Sequence, residues 1–264
     1  MKNRMIVFVT VFFSVILTFS SVELPLCYGS ENEEVNLQII TEDFAPFNFR
    51  SEDGEITGRS TEIVKEILSR FGLDIEIQLM NWNKAYAMAL SKPDVILYST
   101  FRTDDRENLF QWVGPIASDE MMFYSLQGSD IVIDSLEDVK AVVAIGVVKD
   151  DARHQLLVQN NVMNLKLYPT DMECYRALAN GEVELVLGSN ATMAMMAGRA
   201  GVDPSELKPV YSVKKTPLYI AFSKNISPNI VEEWQSTLNE MKQDGTFDAI
   251  NQRWSGTAIQ DSTR

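Results

Sequence analysis

The residues best suited to do chemistry lie in one short run that follows an apolar, strand-like segment. Thr103, Asp104 and Asp105 form a typical helix start, and Arg106 projects from its first turn. A guanidinium beside a helix N-terminus can hold an anion, and arginine binds a carboxylate through two parallel hydrogen bonds. The run therefore fits an anion seat at Arg106. A surface arginine paired with Asp105 or Glu107 is the alternative, and the residues alone favour it.

Three polar residues end the buried strand predicted at 94–98. They are Tyr98, Ser99 and Thr100. At the carboxyl edge of a parallel sheet, backbone and hydroxyl groups point into the crevice where ligands bind. We expect these three residues to hold the polar end of a ligand.

Composition and motifs argue against several classes of function. The chain of 264 residues has 23 basic and 37 acidic residues and a net charge of −14, which makes nucleic acid an unsuitable partner. His154 is the single histidine. The sequence has no nucleophile elbow, phosphate loop or metal-spaced Cys/His cluster. We therefore expect neither an enzyme nor a cofactor.

Alternating apolar patterns predict an α/β fold with largely parallel sheets. A first series of strands and helices is predicted at 37–41, 60–71, 75–80, 82–90 and 94–98. A second is predicted at 142–146, 151–159, 166–168, 170–180 and 184–187. Both series end with a tyrosine, a short helix and turn, and a strand that leads to a serine, Ser99 or Ser189. The pattern predicts two similar lobes.

Two apolar runs, 121–126 and 217–223, are the expected crossovers between the lobes. Residues 35–120 and 218–256 would form lobe 1, and residues 121–217 would form lobe 2. Two crossing strands would act as a hinge. The polar residues 257–264 are expected to be a flexible tail.

The N-terminus has the layout of a signal peptide. Lys2 and Arg4 precede an apolar run at 5–19, which is shorter than a membrane-spanning helix requires. We predict cleavage after residue 29 and a periplasmic protein, with lipid attachment at Cys27 and an uncleaved anchor as the lesser alternatives. The mature chain would keep Cys174 alone, as a buried and unreactive thiol.

Four motifs resemble the family 3 bacterial extracellular solute-binding proteins of the polar amino-acid type. They are TEDFAPFNF from Thr41, EDGEITGRSTEIVKEI from Glu52, DVILYSTFRTDDR from Asp94 and DGTFDAINQRW from Asp244. The resemblance implies the type II periplasmic binding fold, with two α/β lobes joined by a two-strand hinge. It implies a small polar ligand with a carboxylate, held between the lobes and delivered to an ABC transporter permease in the inner membrane.

The resemblance also assigns roles to single residues. Arg106 would hold the ligand's carboxylate, and Phe44 and Trp82 would wall the pocket, although core packing is an alternative for both aromatic residues. The second-lobe acid that usually binds the ligand's amine is replaced by Ser189. Glu42 and Asp150 are the available substitutes. An amino acid or derivative and a carboxylate without an α-amino group therefore both stay open.

Two rival functions share this fold. Secreted dehydratases of the cyclohexadienyl or arogenate type use a pocket carboxylate as general acid, and Glu42 or Asp150 could serve in that way. A sensory protein that presents its ligand to a receptor would have the same site and a different partner. We expect a monomer that binds a small molecule in either case.

Overall fold

The computed structural model describes residues 37–255. The predicted signal peptide, Cys27 and the predicted tail at 257–264 lie outside that range. Within it, no helix is long and apolar enough to cross a bilayer.

The described part of the chain alternates strands and helices in the predicted order. Its strands are β1 (Gln38–Thr41), β2 (Phe49–Arg50), β3 (Ile56–Thr57), β4 (Ile77–Leu79), β5 (Val95–Phe101), β6 (Gln111–Leu126), β7 (Ile145–Val148), β8 (Leu165–Tyr168), β9 (Leu185–Ser189) and β10 (Leu207–Phe222). Its helices are α1 (Arg59–Arg70), α2 (Trp82–Ser91), α3 (Asp104–Glu107), α4 (Ala152–Gln159), α5 (Asp171–Ala179), α6 (Met193–Arg199), α7 (Pro228–Gln243) and α8 (Thr246–Ser255).

Eight strands form one mixed sheet in the order β4-β1-β5-β10-β6-β9-β7-β8. The outer sets β4-β1-β5 and β9-β7-β8 are parallel within themselves. The central strands β10 and β6 pair antiparallel to each other and to their outer neighbours. The α/β class is therefore confirmed. The expected parallel pairing holds for the two outer sets, while the centre of the sheet is antiparallel.

The central pair is much longer than the predicted crossovers. Strands β6 and β10 have 16 residues each, where the sequence suggested runs of six and seven. Proline interrupts both strands, and proline normally ends a strand pattern because it cannot donate a ladder hydrogen bond. Here Pro209 lies beside a shift in register, so the ladder tolerates it and continues.

Helix positions follow from local chemistry. Helix α1 buries Ile63, Val64, Ile67 and Leu68 on one stripe at the predicted helical spacing. Helix α4 begins after Asp151, whose side chain accepts a hydrogen bond from a backbone N–H of the first turn. Alternate residues of β1 and β5 belong to two separate buried clusters, which places a hydrophobic layer on each face of the sheet.

Candidate functional site

The segment from β5 to α3 carries two buried hydroxyls that no group in residues 37–255 satisfies. They are Ser99 Oγ and Thr103 Oγ1. The sequence analysis placed Tyr98, Ser99 and Thr100 at the end of the strand. Strand β5 instead continues to Phe101, so all three residues lie inside it. Ser99 has a left-handed backbone with φ of 60°. Both hydroxyls are therefore candidates for contact with a ligand.

The other two predicted hydroxyls are used within the protein. The Tyr98 hydroxyl lies 2.9 Å from Thr61 Oγ1, and Thr100 Oγ1 donates to the Leu97 carbonyl at 3.3 Å. Burial raises the pKa of Tyr98, so its phenol stays neutral. The hydroxyls of Tyr98 and Thr100 therefore make hydrogen bonds within the protein.

Arg106 is 1% exposed and has no carboxylate partner among the described residues. Its guanidinium lies 5.0 Å from the ring centre of Trp82 and 4.7 Å from that of Tyr86. Nε donates to Gln155 Oε1 at 3.1 Å, and Nη1 has no hydrogen-bond partner within residues 37–255. Burial lowers the pKa of Arg106. A buried cation with an unsatisfied donor is chemically suited to pair with an anion.

Trp82 and Arg106 converge on one backbone oxygen, the carbonyl of Asp150. Trp82 Nε1 donates to it at 2.9 Å, and Arg106 Nη2 lies 3.4 Å from it. Asp150 follows β7, across the central strand pair from β5, and has a left-handed φ of 59°. Its side chain is exposed. Asp150 thus contributes its carbonyl to this contact, and its carboxylate forms no salt bridge with Arg106.

Arg153, which the sequence analysis missed, is also 1% exposed but is fully paired. It bonds Asp171 through Nη1 and Nη2 at 2.7 and 3.0 Å, and it bonds Asp151 through Nε at 2.8 Å. Its guanidinium lies 6.0 Å from the ring centre of Phe44. Phe44 is buried and stacks on Phe47 with 5.4 Å between the ring centres, and its role as a pocket wall stays a prediction. The sequence feature that could have indicated this cluster is an aspartate at the start of α4, Asp151, and another at the start of α5, Asp171.

Glu42 lies beside the same cluster and is partly buried. No described residue donates a hydrogen bond to its carboxylate. Burial, with the negative charges of Asp151 and Asp171 added, raises the pKa of Glu42 well above its usual value.

Ser189 is buried at the end of β9, where its hydroxyl donates to Asp119 Oδ2. Asp119 lies on β6, is 3% exposed and also accepts from the backbone N–H groups of Ala191 at 3.0 Å and Glu120 at 2.8 Å. Burial raises the pKa of Asp119. A buried carboxylate therefore lies one hydrogen bond from the position where the sequence lacks an acid.

A cavity of about 70 Å³ lies between α3, α4 and the central strands β6 and β10. It is lined by Thr103, Asp104, Asp105, Met121, Ala152, Gln155, Leu156, Gln159, Lys214 and Thr216. A larger groove of about 770 Å³ lies beside β4 and contains none of the predicted site residues. Within residues 37–255, no group of His, Cys, Asp and Glu side chains is arranged to hold a metal ion.

The chain matches the model of the bacterial extracellular solute-binding proteins, family 3, over residues 37–257. It belongs to that family. The L-cystine-binding protein TcyJ of Escherichia coli (strain K12) is 20% identical over 220 residues, which cover 82% of this chain and 80% of the relative. A probable histidine-binding protein of Campylobacter jejuni is 22% identical, covering 90% of this chain and 96% of the relative.

Solved structures agree on the fold. A histidine kinase sensor domain with similarity to periplasmic binding proteins has a TM-score of 0.76 at 18% identity, covering 84% of this chain and 96% of that chain. An ancestral arginine-binding protein bound to arginine has a TM-score of 0.72 at 25% identity, covering 83% and 98%. The predicted type II periplasmic binding fold is therefore confirmed.

Proposed function

We propose that the protein captures a small polar ligand with a carboxylate, an amino acid or a derivative, between two lobes. The observation that carries the proposal is Arg106, a buried guanidinium with no carboxylate partner among the described residues and a free Nη1. Burying a charge without a partner costs free energy. A ligand carboxylate that pairs with Arg106 offsets this cost and forms strong, charge-assisted hydrogen bonds. The unsatisfied hydroxyls of Ser99 and Thr103 would complete the seat.

Closure of the two lobes would couple ligand binding to the conformation of the protein. In this proposal residues 35–120 and 218–256 form lobe 1, residues 121–217 form lobe 2, and the Asp150 carbonyl meets Trp82 and Arg106 in the closed state. A ligand that contacts both lobes only when they are closed shifts the population toward that state. An ABC transporter permease in the inner membrane would then receive the ligand from the closed form.

The proposed setting is the periplasm. The protein would be a monomer, exported by its first 29 residues and released by cleavage. The names of the relatives support an amino-acid ligand, because TcyJ binds L-cystine and the Campylobacter protein is a probable histidine-binding protein.

A thermal-shift screen tests the proposal. The panel holds the twenty standard L-amino acids, L-cystine and a set of dicarboxylic and hydroxy acids, with polyamines as a class that lacks carboxylates. A ligand that binds only the native state raises the melting temperature by mass action. We expect a shift with one or more carboxylates and none with polyamines. Shifts with polyamines alone would overturn the proposal.

A dehydratase is the second candidate, and the raised pKa of Glu42 is the observation that favours it. A carboxyl whose pKa is raised holds its proton more tightly than an ordinary glutamate and can act as a general acid. Among the solved structures, an ancestral amino-acid-binding protein described as a precursor of cyclohexadienyl dehydratase matches with a TM-score of 0.70 at 18% identity. Incubation with prephenate, followed by detection of an aromatic product, separates this candidate from a binding protein.

A further inference from the structure

A cavity of about 370 Å³ has none of the predicted site residues in its lining. Its walls come from the first residue of α1, from the central strands β6 and β10, and from α7 and α8. Two lining residues are cations, Arg59 and Lys242, and no aspartate or glutamate of the described chain joins them. The whole chain has a net charge of −14, so the charge of this cavity is opposite to that of the protein.

Arg59 has an unsatisfied donor and forms no salt bridge with any residue of 37–255. Its Nε is buried and has no hydrogen-bond partner within that range. Its guanidinium lies 4.7 Å from the ring centre of Phe47, a contact that satisfies no N–H group. Burial lowers the pKa of Arg59, and the charge of Asp119 acts in the opposite direction. An anion that accepted a hydrogen bond from Nε would supply the missing acceptor.

Lys242 has no acidic partner among the described residues either. Its Nζ donates to the Pro115 carbonyl at 3.0 Å and lies 5.2 Å from the ring centre of Phe247. An ammonium group has three donors, so one hydrogen bond leaves two for another partner. Burial lowers the pKa of Lys242, which shows that its charge is less well solvated than that of an ordinary lysine.

The rest of the lining suits a small ligand with several oxygen atoms. Ser118 and Asn251 bring a hydroxyl and an amide that can donate hydrogen bonds to it. The volume of the cavity lies in the range of small-molecule sites, about 300–1,000 Å³. Two cations without a lining acid call for two negative charges on the ligand.

We propose that this cavity is a second binding site, which takes a small oxyanion with two negative charges, such as inorganic phosphate or a short dicarboxylate. Arg59 binds it through Nε and its neighbouring N–H groups, and Lys242 binds it as a compact charge. The bound anion joins the start of α1 to the end of α7. This site goes beyond the proposed function, because it involves other residues and a second ligand.

The test is titration calorimetry with sodium phosphate and, separately, sodium succinate. Sodium chloride keeps the ionic strength constant, because salt screens exposed charges. We expect saturable binding of at least one anion. Binding of phosphate alone identifies a tetrahedral inorganic ligand, and binding of succinate alone identifies a dicarboxylate. Arg59→Gln and Lys242→Gln should each weaken the binding by about 10- to 100-fold, since each removes a charge-assisted hydrogen bond.

Lys166→Gln is the matched control. Lys166 Nζ also donates to a backbone carbonyl, that of Glu182 at 2.7 Å, but Lys166 lies outside the cavity. The substitution removes the same charge and should leave the affinity for the anion unchanged. Arg106→Ala shows whether the anion binds at Arg106 instead, and we expect this variant to keep the affinity.

Two conservative variants decide if a glutamine variant does not fold. Lys242→Arg keeps the charge and its donors and should bind the anion as the wild type does. Arg59→Lys keeps the charge without the Nε donor and should bind more weakly.

Absence of saturable binding by both anions overturns the proposal. Equal losses in Lys166→Gln and Lys242→Gln do so as well, because they would show only the effect of overall charge. Binding that Arg106→Ala abolishes and Arg59→Gln keeps would place the anion at the site of the proposed function and refute the second site alone.

Discussion

Arg106 and Arg153 are two arginines of equal burial and opposite surroundings. Each is 1% exposed. Arg153 is held by Asp151 and Asp171, while Arg106 meets aromatic rings, an amide oxygen and a backbone carbonyl. A paired buried arginine has its counter-charge within the fold. Arg106 has no such counter-charge among the described residues, and we propose that a ligand carboxylate supplies it. Burial is the same for both arginines, so the missing counter-charge is the feature that makes Arg106, and not Arg153, the proposed binding residue.

Removing the paired arginine should have the largest effect. Arg153→Ala leaves Asp151 and Asp171 buried without their counter-charge, and we expect a loss of about 3–5 kcal/mol in the free energy of unfolding. Urea unfolding at neutral pH measures it. Arg199→Ala, which breaks the more exposed pair with Asp43, is the control and should cost at most about 1 kcal/mol. Equal losses in the two variants would remove the distinction between the two buried arginines.

Removing the unpaired arginine should spare stability and destroy binding. We expect Arg106→Ala to weaken binding of any carboxylate found in the screen by about 100-fold or more, because a buried charge pair loses one member. Arg106→Lys keeps the charge without the planar fork and should be intermediate. Calorimetry and thermal unfolding measure the two effects. Arg102→Ala, at an exposed arginine paired with Glu107, is the control, and unchanged affinity in Arg106→Ala would refute the site.

Glu42 provides a pH test of the acidic surroundings of Arg153. Its folded-state pKa is raised, so the folded protein binds the proton more tightly than the unfolded chain, and this contribution to stability is lost as pH rises above about 4.5. Glu42→Gln should therefore stabilise the protein by on the order of 1 kcal/mol at pH 7. The gain should vanish near pH 4. A gain that does not depend on pH would show that desolvation of the carboxylate is not its cause.

The smallest expected effect concerns the aromatic neighbour of Arg106. Trp82→Phe keeps a ring beside the guanidinium and removes the N–H that donates to the Asp150 carbonyl. One neutral hydrogen bond contributes about 1 kcal/mol, so we expect affinity to fall by about 3- to 10-fold. Calorimetry with the strongest ligand of the screen measures the change. An unaltered affinity would mean that this bond does not favour the closed form.

The sequence predicted most elements to within a few residues, because apolar spacing determines where helices and strands begin. Helix α2 starts at Trp82 as predicted, and α5 starts after its Thr170 cap. Cys174 is buried, as expected. The length of β6 and β10 was not predicted, because their prolines interrupt the local strand pattern. Hydrogen bonds between these two segments, which are far apart in the chain, continue both strands past the prolines.

The site was predictable where its chemistry is local. Thr103 and Arg106 lie in one turn, so spacing alone could bring them together. The bond between Asp119 and Ser189 joins residues 70 positions apart, and the Arg153–Asp171 pair joins residues 18 apart. No local pattern reports such pairs. The ligand-binding roles of these residues stay predictions, and calorimetry on the variants tests them.

The carbonyl of Asp150 has a consequence for how this site can change over time. The contact that joins Trp82 and Arg106 to the far side of the sheet uses an atom that every amino acid possesses. Replacement of the exposed Asp150 side chain can therefore alter the rim of the proposed site and keep the hydrogen bonds to the carbonyl. The constraint falls on the left-handed backbone, which glycine and asparagine tolerate and β-branched residues resist. At position 150 we therefore expect only residues that tolerate a left-handed backbone, whatever the charge of their side chains.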